Sequence, residues 1–153
     1  MRPNIGKAIL GGFVGTLAIT LMMYKVGPMM GLMKMDIAES LGKTMGMGWM
    51  VGMILHFMNG TIIFPLIYAF PLYRVLPAGP TARGTIWGVI LWLLAQLIVM
   101  PMMGGGVFSA KMGGMMTAGG SLIGHIVYGA LLGVIAGSAE APASAQRPGV
   151  RAA

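Results

Sequence analysis

Charged residues interrupt this chain only at wide intervals, and those intervals decide what it can fold into. Lys7 to Lys25 encloses 17 uncharged residues, Lys43 to Arg74 30, Arg83 to Lys111 27 and Lys111 to Glu140 28. A helix needs about 20 largely apolar residues to cross the hydrocarbon core of a bilayer. Four crossings follow, expected at 5–26, 48–71, 83–103 and 119–138. Lys7 fits inside the first because its aliphatic stem lets the ammonium reach the interface. Only 8% of the 153 residues are charged and 57% are hydrophobic, against about 25% charged in an ordinary soluble domain. So few charges cannot solvate a compact soluble enzyme, and the same hydrophobicity excludes disorder of the whole chain.

The crossings read as helices. The run from Ile86 to Leu94 is continuously apolar, whereas a barrel strand alternates apolar and polar residues. In lipid only a helix satisfies the backbone of such a run locally. Arg2, Lys7, Arg74, Arg83, Arg147 and Arg151 flank one side of the expected membrane; Lys25, Lys34, Lys43 and Lys111 flank the other. The excess places both termini in the cytoplasm. Arg2 and Lys7 precede an apolar run, but Met22-Met23-Tyr24-Lys25 offers no small-residue cleavage pattern, so the first helix is expected to be retained. Residues 138–153 lack apolar periodicity and read as a disordered cytoplasmic tail. The net charge of +7 is dispersed over helix ends, which sets topology and argues against nucleic-acid binding.

The halves of the chain resemble each other. Gly11-x3-Gly15 is matched by Gly84-x3-Gly88, and Pro28-Met29-Met30-Gly31 by Pro101-Met102-Met103-Gly104, both at an offset of 73. His56-x2-Asn59-Gly60 is echoed by His125-x2-Tyr128-Gly129 at an offset of 69. This order points to a duplicated two-helix hairpin. Each copy has an even number of crossings, so the copies are parallel and related by a pseudo-two-fold axis along the membrane normal.

Glycine weakens helices in water, so 26 of them need a reason. Gly48, Gly52, His56 and Gly60 stand four apart, as do His125, Gly129, Gly133 and Gly137. With Gly11, Gly15, Gly84 and Gly88 they are expected to let helix backbones approach closely. The alternative is that they make room for a flat ligand beside the histidines.

Polar side chains within the crossings are few: His56, Asn59, Thr61, Gln96, Ser121, His125, Tyr68 and Tyr128. An ionisable group inside a membrane is a functional candidate by default. His56 and His125 could ligate haem b, bind copper with help from methionine, or act as a polar gate; they could equally hydrogen-bond and lock the bundle, with Asn59 and Tyr128 as supporting partners. Thioethers are soft ligands, and Met29, Met30, Met33, Met102 and Met103 are the candidates for Cu(I) among 18 methionines. Methionine is also a flexible filler of cores and docking faces. The leading expectation is no cofactor.

Pro28 and Pro101 are expected to bend or stop helices 1 and 3, and Pro65 and Pro71 helix 2. Met30, Met33, Ile37 and Leu41 recur at helical spacing opposite Asp36, Glu39 and Lys43, which reads as an amphipathic surface helix over about 29–42. Trp49, Tyr68, Tyr73 and Trp87 are expected as interfacial anchors. The chain has no Cys, and its acids Asp36, Glu39 and Glu140 all lie outside the crossings. That argues against thiolate metal sites, acidic proton relays and a Ser-His-acid enzyme.

The run His56-Phe57-Met58-Asn59-Gly60-Thr61-Ile62-Ile63-Phe64-Pro65-Leu66-Ile67-Tyr68, with Gly124-His125-Ile126-Val127-Tyr128-Gly129 near the end, resembles a family of small bacterial four-span membrane proteins of unknown function. The likeness covers most of residues 6–137. It implies fold and location, and an association with respiratory oxidases, but no activity. The expectation is therefore an all-α integral membrane bundle of four transmembrane helices built from a duplicated hairpin. Its role would be that of a non-catalytic subunit or assembly factor packed against a larger membrane complex, such as a respiratory terminal oxidase, or against its own copies. The competing expectation is a haem b- or copper-binding membrane protein using His56 and His125. A small transporter or channel ranks behind both.

Overall fold

The computed structural model describes residues 4–32, 36–76 and 79–137, and among them there is no strand. Helices long and apolar enough to cross a membrane run over Ile5–Met29 (α1), Trp49–Val75 (α3), Pro80–Met102 (α4) and Gly114–Ala136 (α5). A short helix, α2, covers Ile37–Thr44 between α1 and α3. At about 1.5 Å per residue each long helix exceeds the roughly 30 Å hydrocarbon thickness. The chain is an integral membrane protein. Leu10, Phe13, Leu17 and Leu21 of α1 stand exposed on its outer surface, as residues facing lipid should. The expected tail over 138–153 lies outside the described residues.

No proline breaks its helix at the ring, although α1 and α4 end one residue after Pro28 and Pro101, at Met29 and Met102. Each helix runs on through a widened turn that shifts the hydrogen bonds from i−4 to i−5. Such turns cover Met22–Val26, Asn59–Ile63, Tyr68–Leu72 and Ala95–Val99. The amides of Gly27, Phe64 and Met100 donate to the carbonyls of Met22, Asn59 and Ala95, each just before Pro28, Pro65 or Pro101. The extra residue in the turn moves the carbonyl that a proline ring would strike and absorbs the missing donor. This is why α1 and α3 extend beyond the expected ends at 26 and 71, to Met29 and Val75.

α1 and α4 then terminate alike. Gly31 and Gly104 adopt φ +79 and +80, a left-handed conformation that favours glycine. Leu32 N–H donates to Gly27 O at 3.0 Å, and Gly105 N–H to Met100 O at 2.8 Å.

α5 is the central helix, with α1 on one side and α4 on the other, while α3 packs on α1 and meets α4 mainly near Tyr68–Leu72. Glycine governs these contacts. A Cβ on Gly84, Gly88, Gly129 or Gly133 would overlap main-chain atoms across the α4–α5 interface. A Cβ on Gly11 or Gly15 would come within 3.0 Å of main-chain atoms of Leu132 or Tyr128 in α5. Gly12 abuts Pro65 and the Gly60 carbonyl, and Gly60 abuts the Thr16 hydroxyl, joining α1 to α3. Gly52 receives the Ala38 carbonyl, so it seats α2 rather than a membrane-spanning neighbour.

Gly48 and Gly137 serve helix ends instead of an interface. Gly48 caps α3, and Gly137, at φ +69, closes α5. Tyr68, Tyr73 and Trp87 were expected at the interfaces but are buried with Leu91, Tyr128 and Leu132 in the core. The Tyr73 hydroxyl donates to Gly137 O at 3.2 Å, so its polar tip finds a carbonyl inside the protein. Only Trp49 keeps the exposure of an anchor.

Gly129→Leu should therefore disrupt the bundle by about 1–3 kcal/mol or more, since rigid backbone cannot yield to the added atoms. Gly119, around which nothing lies within 4 Å, should accept alanine without loss. Unfolding of the two detergent-solubilised variants against wild type checks the contrast.

Candidate functional site

The polar groups around His56 and His125 lie between the middle of the bundle and its α2 end, while the buried Tyr68 lies toward the opposite end of α3. Threonines stack along one line of α1. Thr16 Oγ1 donates to Gly12 O at 2.7 Å, and Thr20 Oγ1 lies 2.6 Å from Thr16 O and 2.9 Å from His56 Nε2. A carbonyl cannot donate, so the Thr20 proton lies on the bond to Thr16 O. His56 must then donate from Nε2 to Thr20, which leaves Nδ1 as its free lone pair. His125 is fixed in the opposite sense. Its Nδ1 stands 2.8 Å from the Ser121 carbonyl one turn earlier, so Nδ1 carries the proton and Nε2 is free.

Around His125 the polar string continues. Gln96 Nε2 donates to Ser121 Oγ at 3.5 Å, and Ser109 Oγ donates to Gln96 Oε1 at 2.9 Å. Gln96 and Ser109 are both fully buried. Ser109 and Phe108 hold left-handed backbone at φ +56 and +49, a cost of order 1–3 kcal/mol each for residues with a Cβ. The strained loop is pinned by that serine bond and by Phe108 against Trp92, with ring centroids 5.7 Å apart. The Trp92 indole N–H itself donates to Ala118 O of α5 at 2.9 Å.

The expected supporting residues act elsewhere. Tyr128 donates to the Gly60 carbonyl at 2.7 Å and does not touch the histidine of its own helix. That carbonyl has no helical donor, because the Phe64 amide goes to Asn59 O and Pro65 has none. Asn59 thus serves through its main chain. Thr20 and Ser121 fill the roles expected of Asn59 and Tyr128. Thr20 escaped notice because a helical threonine commonly turns its hydroxyl back on its own helix; the spacing Gly12-Thr16-Thr20 was the available signal.

The glycines beside the histidines leave no slot for a flat ligand, since Gly52, Gly60, Gly129 and Gly133 are filled by neighbouring helices. Among the methionine candidates, Met29, Met30 and Met102 are exposed and Met103 is half-buried. Met33 lies outside the described residues. Among the described residues no three of His, Asp and Glu come together as a metal site would require.

A second polar centre, at Asp36, ties the ends of three helices. Its carboxylate accepts the Glu39 amide at 2.9 Å, capping α2. It also accepts the Tyr24 hydroxyl from α1 and the Trp49 indole N–H from α3, the latter at 3.1 Å to each oxygen. Glu39 pairs with Lys43 at 2.6 Å on the exposed face of α2. Burial opposes the charge on Asp36, but the hydrogen bonds from Tyr24, the Glu39 amide and Trp49 outweigh it and hold the carboxyl below its ordinary pKa. A depressed folded pKa stabilises above the unfolded value, and the gain is lost as pH falls through the folded one. Docking of α2 should therefore persist to a pH below the usual carboxylate range and then fail. Hydrogen exchange of the Ile37–Thr44 amides against pH checks this, and Asp36→Asn should remove the transition.

The sequence matches, over residues 2–146, a family described as a family of unknown function (DUF6789). No curated protein and no solved structure matches the chain.

Proposed function

We propose that this chain, which belongs to the family of unknown function DUF6789, is a non-catalytic subunit or assembly factor that docks on a larger complex in a bacterial cytoplasmic membrane. The observation that carries the reading is a collar of exposed methionines around the α2 end. Met29, Met30, Met45, Met47, Met50, Met102, Met115 and Met116 all lie there with their side chains exposed. Unbranched, polarizable side chains adapt to a partner surface, and their concentration at one end distinguishes it from the Leu-rich flank of α1. The interior supports the same reading. The carboxylates of the described residues, Asp36 and Glu39, lie outside the spans, and the polar side chains within them mostly hold helices together. The respiratory association rests on the family resemblance.

We place both termini in the cytoplasm and the methionine collar on the opposite side, on the distribution of Lys and Arg. The fold is read as a duplicated hairpin. Supporting this, the widened turns Met22–Val26 and Ala95–Val99 and the glycine caps Gly31 and Gly104 share the offset of 73. The copies have diverged, since α5 is central while its counterpart α3 is peripheral.

Photo-cross-linkers placed at Met50 and Met115 in native membranes should capture a respiratory integral membrane protein, identified by mass spectrometry. Recovery of the chain alone, or cross-linked only to lipid, would overturn the reading. Because the chain has no Cys, single cysteines report topology cleanly. An impermeant thiol reagent should label position 47 in intact cells and leave position 145 unlabelled.

A further inference from the structure

Both membrane histidines are held in one tautomer with one lone pair free, and the fold brings them to the same depth. α3 and α5 run in the same direction through the bundle, because one complete crossing, α4, separates them in the chain. Tyr128 of α5 bonds Gly60 of α3 at 2.7 Å. His125 lies three residues before Tyr128 and His56 four before Gly60, so each sits one turn toward the α2 end from that bond. Consecutive residues of α1 span the gap. Ile19 packs on Gly124, and Thr20 accepts from His56. Three or four residues make one helical turn, so His125 and His56 lie on the faces of α5 and α3 that the Tyr128–Gly60 bond joins.

We propose that His56 and His125 form a binding site for one soft monovalent d10 cation, Cu(I) in the cell, with Nδ1 of His56 and Nε2 of His125 as donors. Three observations favour this class. Each ring donates its other N–H to a fixed oxygen, Thr20 Oγ1 or Ser121 O, the outer support that orients a ligating histidine and raises its basicity. The described carboxylates, Asp36 and Glu39, lie outside the spans, so a divalent ion would bring two uncompensated charges into lipid, whereas a monovalent ion brings one. A d10 ion of single charge accepts two donors in line and needs no third. The exposed thioethers of Met29, Met30 and Met102 lie at the same end of the bundle and offer soft, weaker first contacts. Binding uses lone pairs already free, so no proton leaves either ring and no redox partner is involved. The proposal stands apart from the docking reading and can fail without it.

Ag(I), the redox-inert stand-in, is the probe, titrated into purified full-length protein in nanodiscs with bound metal counted after gel filtration. One tightly held equivalent is expected above the weak thioether binding. His56→Gln and His125→Gln should each abolish it, and Thr20→Val, which keeps both imidazoles, should weaken it by about 10–100-fold. Met29→Leu with Met30→Leu should leave the tight equivalent in place. Ring-nitrogen NMR of the wild type decides the matter even where a histidine variant fails to fold. Ag(I) should shift Nδ1 of His56 and Nε2 of His125 while both ring protons remain. Shifts confined to methionine methyls, or tight binding that survives either His→Gln change, would overturn the assignment.

Discussion

The structure depends on one constraint: inside a bilayer no water is available to satisfy a backbone polar group that its own helix leaves unpaired. This chain places prolines within its membrane helices and so creates such groups repeatedly. The widened turns before Pro28, Pro65 and Pro101 spread the defect over an extra residue. At Pro65 the carbonyl left over, that of Gly60, receives the Tyr128 hydroxyl from another helix. A local fault in α3 thereby becomes a tertiary bond to α5. The same economy recurs with Trp92, whose indole N–H ends on the Ala118 carbonyl.

Close backbone approach is the second determinant. Without a hydrophobic drive between helices in lipid, association rests on packing and on polar contacts. Gly84, Gly88, Gly129 and Gly133 bring α4 and α5 together until main chains touch. Gly12, Gly60 and Thr16 do the same for α1 and α3, and Gly52 lets α2 rest directly on α3. Asp36 then binds the ends of α1, α2 and α3 into one polar knot at the membrane surface. Within this packing His56 and His125 each have one ring nitrogen bonded, to Thr20 Oγ1 and to the Ser121 carbonyl.

Much of this was legible in the residues. The spacing of charges marked four crossings, and the four-residue rhythm of glycine marked close contacts, because both follow from local periodicity. His56 and His125 stood out because imidazoles are rare in lipid. Their true hydrogen-bond partners did not. Thr20 belongs to a different helix, and Ser121 supports His125 through its carbonyl, which every residue possesses. Asp36 read as one charge on an amphipathic face, although Asp36-x2-Glu39 carries the form of a helix cap. Its bonds to Tyr24 and Trp49 join segments that no periodicity connects.

By itself the sequence determined the solvent, the number of crossings and the residues able to approach closely, since these depend on composition and on repeats shorter than two helical turns. Only the tertiary structure decided that α5 is central, that Tyr68, Tyr73 and Trp87 turn inward, and that Tyr128 serves α3 rather than His125. The physical reason is that lipid accepts an apolar helix face in any rotation. Which face turns inward is fixed by polar groups and backbone approaches on a neighbouring helix, far away in the chain.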